Sequence, residues 1–155
     1  MSNRKKHYLG IDPGQRGGLG VLDRDGLPLA WIRMPDAPTT IVAWLTEAKT
    51  AYPHLILVAE LAQAMPKQGI TGAFTYGRHF GLFEVAAVFL MLPYHEVRPS
   101  AWKKALGLTS AKLDSIALCQ RLWPSVGLVP PGSRKEHDGV AEALLIAEWA
   151  RRRNL

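Results

Sequence analysis

The chain has 155 residues, 48% of them hydrophobic, enough for one domain with a buried core and too few for two. No apolar stretch approaches the roughly 20 residues that cross a bilayer, and the longest, around Leu82 to Leu92, is interrupted by Glu84. The formal charge of +6 points to a polyanionic partner, and the single Cys119 excludes an internal disulfide.

The basic start MSNRKKHY leads into LGID, which is too short for the apolar core of a secretory signal. With one thiol in the chain, this predicts a protein of a reducing compartment, the cytoplasm, with Cys119 buried and inert. No repeat, low-complexity tract or interdomain linker interrupts the chain, so residues 1–155 are expected to form a single domain.

Residues 7–12 and 18–23 (GLGVLD) read as strands, and 27–34 (LPLAWIRM) as a third, reached through Asp25-Gly26, a tight-hairpin signal. Pro28 puts that third strand at an edge or gives it an irregular start. An amphipathic helix is predicted over 39–51, with Ile41, Trp44 and Leu45 on one face and Thr39 as its N-cap. HLILVAE, 54–60, is a near-continuous apolar run, as in a strand covered on both faces. A long helix follows over 73–91, carrying Phe74, Phe80, Phe83 and Val88, and YHEVRP, 94–99, is a short strand. SAWKKALG forms one or two helical turns closed by Gly107, and Ser110 caps a helix to Trp123. After a loop centred on PPG, a last helix runs from near His137 to Arg151–Arg153. The order predicts a mixed α/β sheet of five strands, an antiparallel meander of three and two crossover strands parallel to the first, flanked by helices.

Asp12, in YLGIDPG, reads first as a turn residue, because Asp, Pro and Gly all favour turns. Its setting in the chain says more. Asp12 ends the first strand and Glu60 the fourth, and these strands are expected side by side. Two carboxylates at apolar strand ends are costly to keep ionised without a cation. EHDGVAEALLIAEW adds Asp138 and Glu142, four apart and so on one helix face. Leu145 continues that stripe and turns it inward, while Gly139 and Ala141 keep the helix start thin enough to approach the strand ends. Hard divalent cations take such oxygen ligands, and phosphoryl chemistry uses pairs of them roughly 4 Å apart.

The positive charge is concentrated. Arg98, Lys103, Lys104, Lys112, Arg121, Arg134 and Lys135 stand against the lone Asp114, and the rest of the chain balances at twelve against twelve. That quarter of the chain is a candidate phosphate-backbone surface. In TYGRHFG, Tyr76, Arg78 and His79 alternate with glycines, as a DNA-facing helix or a dimer contact would.

With GIDPG, the strand ending in Glu60, VRPSAWKKALG, SAKLDSIALCQRLWP and HDGVAEALLIAEW in this order and spacing, the chain resembles the RuvC-type Holliday junction resolvases of the RNase H-like superfamily. Its ending is more similar to the phage and chloroplast branch than to the bacterial one, in which the two acids are three apart. The resemblance implies an RNase H-like fold and a homodimer that cuts four-way DNA junctions by paired incisions. It implies two Mg²⁺ ions, with Mn²⁺ as a substitute, Asp12 bridging them, Glu60 and Asp138 holding one each and Glu142 completing the site. The products would carry a 5′-phosphate and a 3′-hydroxyl. Lys103 and Lys112 match family lysines that contact phosphate, and Lys104, Arg98, Arg78 and Tyr76 join them as DNA-binding candidates. No small-molecule cofactor and no membrane partner is expected, and the protein would work on nucleoid or phage DNA. The aromatic wedge of bacterial members is absent from LAQAMP, leaving Met65, Phe74 or Tyr76 to open the junction, with core packing the competing role for both aromatics. His137 either assists the site or is an exposed helix-start residue. The acid set also permits cutting of RNA–DNA hybrids or structured RNA, and the fold permits a non-catalytic junction-binding module. A sugar kinase or actin-like ATPase would need two such domains.

Overall fold

The computed structural model describes residues 5–61, 69–129 and 132–155. In chain order these form β1 (His7–Asp12), β2 (Gly18–Asp23), β3 (Pro28–Arg33), α1 (Pro38–Ala51), β4 (Leu55–Glu60), α2 (Ile70–Phe89), β5 (Tyr94–Val97), α3 (Pro99–Ala105), α4 (Lys112–Leu122) and α5 (Asp138–Arg152). The strands make one sheet in the order β3-β2-β1-β4-β5. The first three pair antiparallel, β4 runs parallel to β1, and β5 runs parallel to β4. This is the mixed sheet the sequence predicts. Pro28 opens the edge strand β3, where a missing N–H costs no ladder bond. The hairpin turn is closed by Asp23, whose Oδ1 accepts from the N–H groups of Asp25 (2.9 Å) and Leu27 (2.8 Å), with Gly26 at φ +89°.

Side-chain alternation sorts the strand residues onto two faces. Tyr8, Leu22, Ile56 and Val58 pack with α3, α4 and α5 in one buried cluster. Leu9, Ile11, Leu19, Val21, Leu55 and Leu57 pack with α1 and α2 in another. Asp12 and Glu60 share the parity of the first group, so both project on the α5 side. In the β1–β4 register Ile11 faces Ala59, and the acids that follow end their strands side by side.

Close approach of α5 depends on missing side chains. A Cβ on Gly10 would overlap the Ala143 carbonyl oxygen and lie 2.6 Å from the Ala147 nitrogen. One on Gly139 would overlap the Arg16 carbonyl oxygen and lie 2.6 Å from the Gly17 backbone. The helix start is therefore pressed against the loop that leaves β1, as the small Gly139 predicts.

Several local expectations are corrected. α1 begins at Pro38, whose fixed φ suits the first helical position, so Ala37 rather than Thr39 occupies the N-cap and no side chain caps it. α4 begins at Lys112 with Ala111 at the cap, not Ser110. The turn is held by Thr109 instead, whose hydroxyl bonds Asp114 and accepts from the Ala111 N–H at 3.1 Å. α2 starts three residues before the predicted position. Its buried face runs through His79, Phe83, Ala86 and Ala87, which leaves Phe74 and Val88 exposed. Core packing is thus excluded for Phe74, while Met65 lies outside the described residues. Cys119 is fully buried, and burial pushes its thiol up to about 12. Among the described residues no helix is long and apolar enough to cross a membrane.

Candidate metal and nucleic-acid site

Asp12 stands at the carboxyl edge of the sheet, its Oδ1 accepting from the Gly14 N–H at 3.3 Å. Pro13 and Gly14 do turn the chain, and by ending β1 they leave the carboxylate at the strand end. Burial, then the charges of Glu60, Glu142 and Asp138, raise its pKa to about 8 against the one favourable bond from Gly14. Asp12 is therefore within electrostatic reach of each of the other three predicted acids.

The other three acids have side-chain partners. Glu60 Oε2 accepts from the indole N–H of Trp102 at 2.7 Å; burial still raises its pKa. Glu142 Oε1 accepts from Lys103 Nζ at 2.8 Å and from the Ser115 hydroxyl at 3.2 Å. Asp138 Oδ2 is 2.7 Å from Lys112 Nζ. Burial works to raise the pKa of Asp138, and the hydrogen bond and charge of Lys112 outweigh it, so the net shift is downward. As the side chains stand, no group of three or more His, Cys, Asp or Glu among the described residues is arranged to hold a metal ion. Glu142 and Asp138 are turned onto lysines and Glu60 onto an indole. The donor set nonetheless fits a hard cation. It is all carboxylate oxygen, and ionised Asp12 is destabilised by burial and then by the charge of its neighbours, conditions a divalent ion relieves.

Beside the acids opens a cleft of about 740 Å³ lined by Glu60, Tyr76, Lys103, Lys104, Lys112 and residues of the α3–α4 connection. Tyr76 reaches it from α2, close to Gly14, and burial with the nearby Glu60, Asp12 and Glu142 charges keeps its hydroxyl protonated. Four of the six predicted DNA contacts thus line the cleft that Glu60 also lines. Arg98 and Arg78 do not line it. Arg98 is the exposed N-cap of α3, and Arg78 lines a separate groove with Pro38, His79 and Leu82.

His137 is the N-cap of α5, its Nδ1 accepting from the Val140 N–H at 3.3 Å, so one ring nitrogen is spent on starting the helix that carries two of the acids. Sequence reasoning missed two residues. Trp102 is fully buried and its indole N–H holds Glu60. Ser115 had a signal, a hydroxyl among the apolar positions Ile116, Leu118 and Cys119, since a buried polar group must find a partner.

No family model and no curated protein matches the chain. Solved structures do. Thermus thermophilus RuvC in complex with a Holliday junction substrate is similar at a TM-score of 0.65, with 21% identity and 96% of each chain covered. A further Thermus thermophilus RuvC structure gives 0.64 at 18% identity, again over 96% of both chains. The nuclease of the large terminase from the thermophilic phage G20c gives 0.54 at 15% identity, over 93% of this chain and 81% of that one. Along nearly its whole length, the chain has the RNase H-like fold that RuvC and the terminase nuclease share.

Proposed function

We propose that the protein is a divalent-metal-dependent endodeoxyribonuclease that resolves four-way DNA junctions by paired phosphodiester hydrolysis. The observation that supports this reading is that Asp12 feels the charges of Glu60, Asp138 and Glu142, from two other chain segments, beside a cleft lined by three lysines. The fold it shares with a RuvC structure bound to a Holliday junction supports the choice of substrate.

In this reading Asp12, Glu60, Asp138 and Glu142 hold two Mg²⁺ ions, for which Mn²⁺ can substitute. The ions supply Lewis acidity and a water of lowered pKa, the two things a phosphodiester needs for hydrolysis. Lys103, Lys104 and Lys112 bind the DNA backbone in the cleft and carry no sequence information. Tyr76, kept protonated, donates a hydrogen bond to the substrate. Trp102 and Ser115 are positioning residues that orient the carboxylates of Glu60 and Glu142 by hydrogen bonds. Two symmetric nicks require two copies of the site, so the working form is a homodimer acting on cytoplasmic DNA.

The test is cleavage of a mobile four-way junction beside an RNA–DNA hybrid duplex in Mg²⁺. Junction cutting is expected, with Asp12→Asn lowering the rate by about 10³-fold or more while junction binding persists. Hybrid-only cutting would transfer the site to a ribonuclease, and an active Asp12→Asn would remove the site assignment altogether.

A further inference from the structure

Lys103 and Lys112 are expected to bind DNA, yet in this structure each is bonded to one of the four acids. Lys103 Nζ lies 2.8 Å from Glu142, with side chains only 17% and 12% exposed, and Lys112 Nζ lies 2.7 Å from Asp138, with side chains 72% and 25% exposed. The neighbouring Lys104 lines the same cleft, but among the described residues it pairs with none of the four acids. We propose that Lys103 and Lys112 are exchangeable counter-ions of the acidic site, bonded to Glu142 and Asp138 in the metal-free protein and released into the cleft, toward DNA phosphate, when those carboxylates take a divalent cation. The inference rests on the proposed nuclease site and adds a coupling to it. Cation binding makes DNA binding stronger, and DNA binding makes cation binding stronger by the same factor.

Three observations carry it. A carboxylate as enclosed as Glu142 is costly to leave charged without a partner, so the metal-free protein needs a cation there, and the Lys103 ammonium is that cation. The lysine N–H bonds also occupy Glu142 Oε1 and Asp138 Oδ2, oxygens on the acids proposed as ligands, so the two kinds of cation compete for the same atoms. Both lysines already line the cleft, so a released ammonium stays beside the proposed DNA path. The pairing is confined to the helix-borne acids. Asp12 and Glu60 are bonded by the Gly14 N–H and the Trp102 indole, neither of them charged.

The experiment is calorimetric titration of Mn²⁺ into the DNA-free protein at constant ionic strength, for wild type and the variants Lys103→Gln, Lys112→Gln, Lys104→Gln and Asp12→Asn. Removing a competing ammonium is expected to tighten Mn²⁺ binding, by about tenfold for the enclosed Lys103 and about threefold for the exposed Lys112. Lys104→Gln deletes the same charge from the same cleft and is expected to change affinity by less than about twofold. Because Lys112 is mostly exposed, its variant keeps the comparison open if Lys103→Gln unfolds. In the second arm, junction binding to wild type is followed against salt in EDTA and in Ca²⁺. The salt slope should steepen by about one to two counter-ions in Ca²⁺, and by none in the Lys103→Gln Lys112→Gln double variant. If both single variants only match Lys104→Gln while Asp12→Asn abolishes Mn²⁺ binding, the exchange is wrong and the metal site stands. If Asp12→Asn binds Mn²⁺ like wild type, the nuclease site itself is wrong.

Discussion

Under α5 the strands β1 and β2 present Gly10, Gly18 and Gly20, whereas on the opposite face the same strands present Leu9, Ile11, Leu19 and Val21. On the first side the helix brings its own small residues, Gly139, Ala143 and Ala147, and backbone lies against backbone at Gly10 and Gly18, while Gly20 leaves room for the Leu144 side chain. On the second, Ile41, Leu45 and Phe83 from α1 and α2 fill the space with side chains. The difference explains why the start of α5 lies against the strand ends. A helix riding on leucine side chains would stand too far off for the short Asp138 to work with Asp12. The glycine-lined face brings the start of α5 down to the strand ends, and Asp12 and Glu60 have the strand parity that faces it. The opposite face carries no such demand, and α2 there leaves Ile70, Phe74, Val85 and Val88 exposed.

The contrast can be broken most severely at Gly10. Gly10→Ala places a methyl group inside the α5 backbone, which cannot yield as a side chain end would, and should cost about 3 kcal/mol or more in urea unfolding. A loss below about 1 kcal/mol would mean that α5 moves aside freely and that the close approach is not a constraint. Next comes Glu148, on the same helix, buried and held by Arg151 Nε at 2.7 Å and by Arg152 Nε at 2.7 Å. Burial works to raise its pKa, but the two guanidinium groups outweigh it and hold the carboxyl below its ordinary 4.5. Glu148→Gln should therefore cost about 2 kcal/mol near neutral pH. For a depressed carboxyl that advantage is full above the unfolded value near 4.5 and is lost as pH falls through the lower folded value. Unfolding of both proteins at pH 7 and pH 3 checks the sign, and a gap that does not narrow at pH 3 would contradict it. The smallest effect, of opposite direction, belongs to α2. A Cβ on Gly81 meets nothing within 4 Å, so Gly81→Ala should stabilise the helix by about 0.5–1 kcal/mol, seen as a higher melting temperature.

Much of this organisation is legible in the chain. The element order, the hairpin at Asp25-Gly26, the edge position of the Pro28 strand and the adjacency of β1 and β4 follow from alternation, turn residues and crossover rules. Helix starts were less legible, because Thr39 and Ser110 look like caps while the preceding Pro38 and the Thr109–Asp114 turn decide where the helices begin. The acids were visible as strand-end and helix-start residues. Their partners were not, since nothing in one dimension links Trp102 to Glu60 or Ser115 to Glu142 across 42 and 27 positions. Phe74 shows the opposite failure. Its apolar character fitted a helical stripe, but which stripe faces inward depends on the sheet beneath.

By itself, the sequence determined the residue types and their periods. It supplied acids at the ends of β1 and β4 and at the start of α5, lysines concentrated after β5, one glycine in β1 and two at alternate positions of β2. These are local properties, written in spacing that any backbone of the right period must obey. Only the tertiary structure decided that α5 lies backbone-close on the glycine face, that Lys103 and Lys112 reach Glu142 and Asp138, and that Arg78 and Arg98 stay outside the cleft. Those outcomes depend on which helix covers which face and at what distance. Packing sets that choice through the volumes of residues far apart in the chain.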